Sequence, residues 1–144
     1  MRCFKLARIK HNSKEIGLLA RLMRSEAVGE GKYGMKLVGN VAVNRGVAKC
    51  ATFKNVNTIT KVVYQKGQFE GTKGKLFNGP ANNTEKKLAK ACIDYWRGSP
   101  AKRALFFKNP GSGKSCPNRF FGKYAGRYKK HCFYDSDTPE KCGI

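Results

Sequence analysis

Acidic side chains are few. Nine Asp and Glu stand against thirty Lys and Arg, giving a net charge of +21 in 144 residues. The basic residues run along the whole chain instead of forming one tail, so the charge belongs to a surface. A surface of that kind implies a polyanionic environment such as nucleic acid, anionic lipid or an acidic polymer. No apolar run is long enough to span a bilayer. The basic start, Met-Arg-Cys-Phe-Lys-Leu-Ala-Arg-Ile-Lys, is not followed by the apolar stretch of a secretory signal, so synthesis in a cytoplasm without a signal peptide is expected. Cys-x-x-Cys and His-x-x-x-His spacings are missing, which leaves little basis for a zinc site; no metal and no cofactor is expected. Gly111-Ser112-Gly113-Lys114 has the look of a phosphate loop. The glycine spacing and trailing hydroxyl of that motif are not both present, and no apolar strand runs straight into a following helix.

What is there suffices for one domain. Hydrophobic residues make up 40% and aromatics 11% of the chain, enough for a core at this length. Residues 1–13 read as a basic, weakly ordered arm and 14–144 as a single domain. Six cysteines allow fifteen pairings. Cys92 falls on the apolar face of a helix and reads as a core residue, whereas Cys116, Cys132 and Cys142 cluster late and could form a disulfide among themselves in an oxidising compartment.

The most informative stretch leads up to Glu30. Ile16, Leu19 and Met23 recur at helical spacing with Leu22 beside them, in a helix that Ser13 can cap. Carrying the stripe on by three residues reaches Glu26, and by four more Glu30. A carboxylate on an apolar stripe is expected to resist ionisation. A protonated carboxyl at the edge of an apolar site is what a general acid for glycosidic cleavage needs.

The wording of this stretch, Leu-x-Arg-x-x-x-Ser-Glu-Ala-x-Gly-Glu, followed by Val38-Gly39-Asn40-Val41-Ala42-Val43-Asn44-Arg45, resembles the SleB/CwlJ family of bacterial cell-wall hydrolases. Two further segments carry the resemblance: Gln65-x-x-Gln68-Phe69, and His131-x-Phe133-Tyr134 with Cys142 beyond, the latter closest to the CwlJ branch. The family often has Gly just before the His; here Lys130 stands there. The resemblance runs from about Ile16 to Cys142. It implies an α+β fold of the lysozyme and lytic-transglycosylase kind, with a helical core and a small β part closing a saccharide groove. Propensity alone gives only α+β.

The resemblance makes Glu26 the catalytic acid. It implies substrate contacts by Asn44, Gln68, Phe69, Phe107, His131 and Tyr134, with Phe69 as a wall for sugar rings and Gln68 bonding N-acetyl or hydroxyl groups. Glu30 and Glu70 are the candidates for a second carboxylate. The remaining expectations are a helix over 34–45 whose Gly34 and Gly39 admit a close neighbour, a helix near 59–64, a short β-hairpin around 77–80, and a helix from Thr84 whose core face is Leu88, Ala91, Cys92 and Tyr95. A strand over 104–107 should follow.

A hydrolase usually needs two carboxylates, whereas a lytic transglycosylase needs one. An acid-poor chain fits the second better. The leading expectation is cleavage of peptidoglycan glycan strands between N-acetylmuramic acid and N-acetylglucosamine, in a cell wall or spore cortex, with basic residues holding anionic wall polymers. Delivery would be by lysis or by assembly into a spore coat, where a coat protein is a candidate partner. The alternatives are a muramidase-type hydrolase and a non-enzymatic basic module binding wall or nucleic acid, the latter suggested by the aromatic and basic residues of 120–134.

Overall fold

In the computed structural model, residues 7–50, 52–65, 68–69, 72 and 74–144 are described. Helix α1 spans Ser13–Ala27 and is capped by Asn12, whose side chain accepts the Glu15 amide at 2.9 Å. Asn12, not Ser13, is therefore the cap. The segment before it is docked: Ile9 is buried in the core, and the Arg8 amide donates to the Ile93 carbonyl at 2.7 Å. The expected weak order does not extend to residues 7–12.

A short 3-10 turn, Val28–Glu30, joins α1 to α2, Gly31–Val47. Buried positions cover nearly the whole circumference of α2, from Gly34 to Gly46, which is the signature of a helix enclosed on all sides. Two glycines permit this. A Cβ on Gly39 would lie 2.8 Å from Met23 Sδ of α1 and 2.9 Å from Cys92 Sγ, and one on Gly34 would lie 2.6 Å from the Cβ of Glu30. The α1–α2 hairpin closes because those positions carry no side chain.

Helix α3, Ile59–Val63, is capped by Thr58, and its Thr60 amide and hydroxyl both donate to buried Glu15 at 2.9 Å. The segment expected to be a hairpin holds a 3-10 turn, Lys75–Phe77. Arg24 of α1 fixes it by donating to the carbonyls of Leu76, Asn78, Gly79 and Pro80, and it also pairs with Glu85 at 3.0 Å. Carbonyls gathered onto one guanidinium leave no ladder for a hairpin. Glu85 belongs to the capping box with Asn82 that opens α4, Asn83–Asp94. The core face of α4 is Glu85, Ala89, Cys92 and Ile93, rotated from the expected one, and Tyr95 lies exposed beyond the helix. Cys92 is a buried free thiol, as expected.

Three antiparallel strands, β1 Ala104–Lys108, β2 Lys123–Tyr128 and β3 His131–Asp135, form a sheet in the order β1-β3-β2. Phe107 pairs with Phe133, and Tyr128 with His131 across a two-residue turn. Lys129 takes φ +49° in that turn, so the tight reversal is made one residue before the position where the family often has glycine. A last short helix, α5 Pro139–Cys142, is tied back by a Cys50–Cys142 disulfide, and Cys116–Cys132 pins the β1–β2 loop to β3. Of the three late cysteines, two pair as expected. Cys142 does not join them, because the chain end folds back against the end of α2, where the Lys49 amide donates to the Cys142 carbonyl.

Candidate active site

Glu26 occupies the last turn of α1 and is half-buried. The core takes Leu19, Leu22, Met23 and then Ala27, so the apolar stripe passes beside Glu26 and leaves its carboxylate at the rim. From α2, buried Arg45 acts on it electrostatically. Burial pushes the guanidinium down to about 10, while the charge of Glu26 pulls it back up, so Arg45 stays cationic. Its Nε donates to the Leu105 carbonyl at 2.6 Å, and its guanidinium lies 4.6 Å from the centre of the Phe69 ring.

From there the contacts run in a circuit. Phe69 stacks on Phe107 with ring centres 5.9 Å apart, and Phe107 meets the His131 ring edge-on at 5.2 Å. His131, buried, is hydrogen-bonded through Nδ1 to Oε2 of Glu30. Glu30 is only 4% exposed, and its Oε1 accepts the Lys130 amide at 2.7 Å. The two glutamates of one motif are thus the two ends of a path through the Asn-Arg pair, the Gln-Phe segment, β1 and β3. Among the described residues no group of three or more His, Cys, Asp or Glu could hold a metal ion.

The expected site residues separate into those on this circuit and those off it. Phe107 and His131 are on it. Phe69 is too, but at 5% exposure it supports Arg45 and Phe107 and is no open wall for a sugar. Gln68 is exposed. Asn44 is fully buried: its Nδ2 is shared by the carbonyls of Ala101, Lys102 and Ala104, and its Oδ1 accepts from Arg8 at 2.5 Å. It joins α2 to the start of β1 and cannot meet substrate. Tyr134 fails for a geometric reason, because alternate residues of a strand face opposite ways. Cys132 and Tyr134 point away from His131 and Phe133, and the Tyr134 hydroxyl donates to the Pro117 carbonyl at 2.7 Å. Glu70 lies outside the described residues. Within 120–134 the rings are divided: Phe133 and Tyr134 have no face free for a base, whereas Phe121 and Tyr124 are exposed. From the sequence, Arg45 of the Asn-Arg pair reads equally as a site residue or as a favourable cation at a helix end; its burial in an enclosed helix beside Glu26 favours the first.

The model of the Cell Wall Hydrolase family matches residues 29–134. The chain belongs to this family. Arg45, Phe69, Phe107, Glu30 and His131 fall within the matched segment, and Glu26 lies three residues before it. The cell wall hydrolase CwlJ of Oceanobacillus iheyensis is 45% identical over 140 residues, covering 94% of this chain and 98% of that protein. CwlJ of Bacillus subtilis is 40% identical over 138 residues and 95% of each chain. Among solved structures, the catalytic domain of the germination-specific lytic transglycosylase SleB from Bacillus anthracis is similar with a TM-score of 0.69 at 23% identity, covering 87% of this chain and 97% of that one. The SleB catalytic domain of Bacillus cereus gives a TM-score of 0.70 at 23% identity, covering 89% and 96%. The fold is therefore the α+β, lysozyme-like one. Family membership makes the chain an enzyme that acts on the cell wall. No helix among the described residues is long and apolar enough to cross a membrane.

Proposed function

We propose that the enzyme cleaves peptidoglycan glycan strands between N-acetylmuramic acid and N-acetylglucosamine as a lytic transglycosylase, with Glu26 as its one catalytic carboxylate. The observation that carries this reading is the state of the neighbouring acid. Both oxygens of Glu30 are engaged, one by the Lys130 amide and one by His131. A carboxylate so held orients the β2–β3 turn, and at 4% exposure its burial keeps it from the water it would have to activate.

Glu26 protonates the bridging oxygen as the bond from muramic C1 breaks. The muramic C6 hydroxyl then closes on C1 and returns its proton to Glu26, leaving a 1,6-anhydro end with no water consumed. Arg45 stabilises the carboxylate that exists between the two proton transfers. Exposed Gln68 is placed to contact N-acetyl or hydroxyl groups, and the basic surface holds anionic wall polymers. The catalytic unit includes the docked segment from Ala7. It acts at a vegetative wall or a spore cortex, reaching it by lysis or from a spore coat.

Glu26→Gln tests the assignment. The variant should fold normally and lose at least about 100-fold in lytic rate, the low end of what a positioned general acid supplies. Loss of wall turbidity at the wild-type rate would remove Glu26 from the mechanism.

A further inference from the structure

The β1–β2 loop carries the one motif that glycan cleavage leaves without a role. Its Gly-Ser-Gly segment is no phosphate loop, since the next element is a strand, yet it lines a cavity of about 350 Å³ together with Asn109, Arg127 and Lys130. None of these lining residues is acidic. Arg127 is fixed by donating from Nε to the Lys129 carbonyl at 2.8 Å and from Nη1 to the Lys114 carbonyl at 2.9 Å, and its Nη2 meets no acceptor among the described residues. The Oδ1 of Asn109 accepts the Gly111 amide at 2.9 Å, so the group Asn109 still offers is its NH₂. Gly111 and Gly113 take φ of +101° and +71°, and the amides of Ser112 and Gly113 meet no acceptor among the described residues. Unpaired amides in such a turn, beside a guanidinium and an ammonium, make a concavity that attracts an oxyanion.

We propose that this cavity binds a carboxylate of the peptide stem carried by the glycan strand. Its position favours the stem over a separate phosphate polymer. Lys130 lines the cavity while its amide holds Glu30, and the next residue is His131. An anion bound there lies at the Glu30–His131 end of the active site, where the substituents of the strand being cut would lie. The Cys116–Cys132 disulfide ties the loop to β3, so the cavity and that end of the site are held together. The proposal rests on the glycan reading above.

Calorimetric titration of the full chain with muramyl dipeptide, with its carboxamide analogue and with inorganic phosphate separates the sources without requiring turnover. Muramyl dipeptide should bind at least tenfold tighter than the carboxamide, and phosphate at equal concentration should not displace it. Lys130→Glu, which keeps the amide bond to Glu30, should erase that preference, as should Ser112→Asp, which sets a carboxylate in the cavity; circular dichroism checks that both remain folded. Lys87→Glu, on α4, should leave the preference intact. Equal binding of acid and amide, an unaltered preference in both cavity variants, an equal loss in Lys87→Glu, or displacement by phosphate would each overturn the proposal. Failure of the glycan reading shows separately, as absence of soluble glycan fragments from intact, stem-bearing peptidoglycan treated with the wild type.

Discussion

Arg45 leaves the last turn of α2 with a full positive charge and ends among the rings of Phe53, Phe69 and Phe106, at 5.8, 4.6 and 5.8 Å. A flat, weakly hydrated guanidinium tolerates such a setting better than an ammonium, and its fork lets Nε hold the Leu105 carbonyl while the charge faces Glu26. Arg45→Lys keeps the charge and loses the planar stack and the bond. The orphaned carbonyl should cost about 1–3 kcal/mol, read as a lowered melting temperature. Misplacement of the charge beside Glu26 should slow lysis roughly ten- to a hundredfold. A wild-type rate in Arg45→Lys would show that only charge matters there. At this scale Glu26 and Glu30 were both legible as singular residues, because carboxylates on an apolar stripe stand out. Their different situations were not, since the partner of Glu30 lies a hundred residues away on β3, where no local pattern reveals it.

Helix α2 organises the elements, with α1, α3 and α4 around it and β1 alongside. The helices were legible from their period, with the caps of α1 and α4 at Asn12 and Asn82, just before the expected starts, and α3 from the family resemblance. The rotation of α4 was not, because its Leu88, Ala91 and Tyr95 make as good a stripe as the face that is buried. Strand β3 shows the same limit differently. His-x-Phe-Tyr was visible as a motif, but only pairing with β1 and β2 decides that His131 faces the site and Tyr134 the covering loop. The 3-10 turn over Lys75–Phe77 depends on Arg24, which gathers four carbonyls and Glu85. Arg24→Lys cannot reproduce that fork, and a loss of about 1–2 kcal/mol is expected. Urea unfolding should show a lower midpoint with an unchanged slope; an unchanged midpoint would mean that the turn holds without the clamp.

For the molecule as a whole, the role proposed for the charge of +21 is attachment to an anionic wall. Binding through a diffuse surface charge is screened, so sedimentation with purified walls should fall by about tenfold or more between about 0.1 M and about 1 M salt. Binding that does not change would place the holding in the active site instead. The disulfides add a second whole-chain constraint. Closing 92 residues through Cys50–Cys142 and 16 through Cys116–Cys132 restricts the unfolded chain by roughly 4.6 and 3.1 kcal/mol in the chain-entropy account. The charge and the class of fold were open to a reader of the sequence, whereas the Cys50–Cys142 closure depends on where the chain end returns. The central claim is that Glu26 works without a second carboxylate, and the product records it. Mass spectrometry of the soluble fragments released from purified glycan should find 1,6-anhydro muramic ends, lighter by one water than ordinary reducing ends and resistant to borohydride. A digest made up only of reducible ends would contradict the one-carboxylate mechanism.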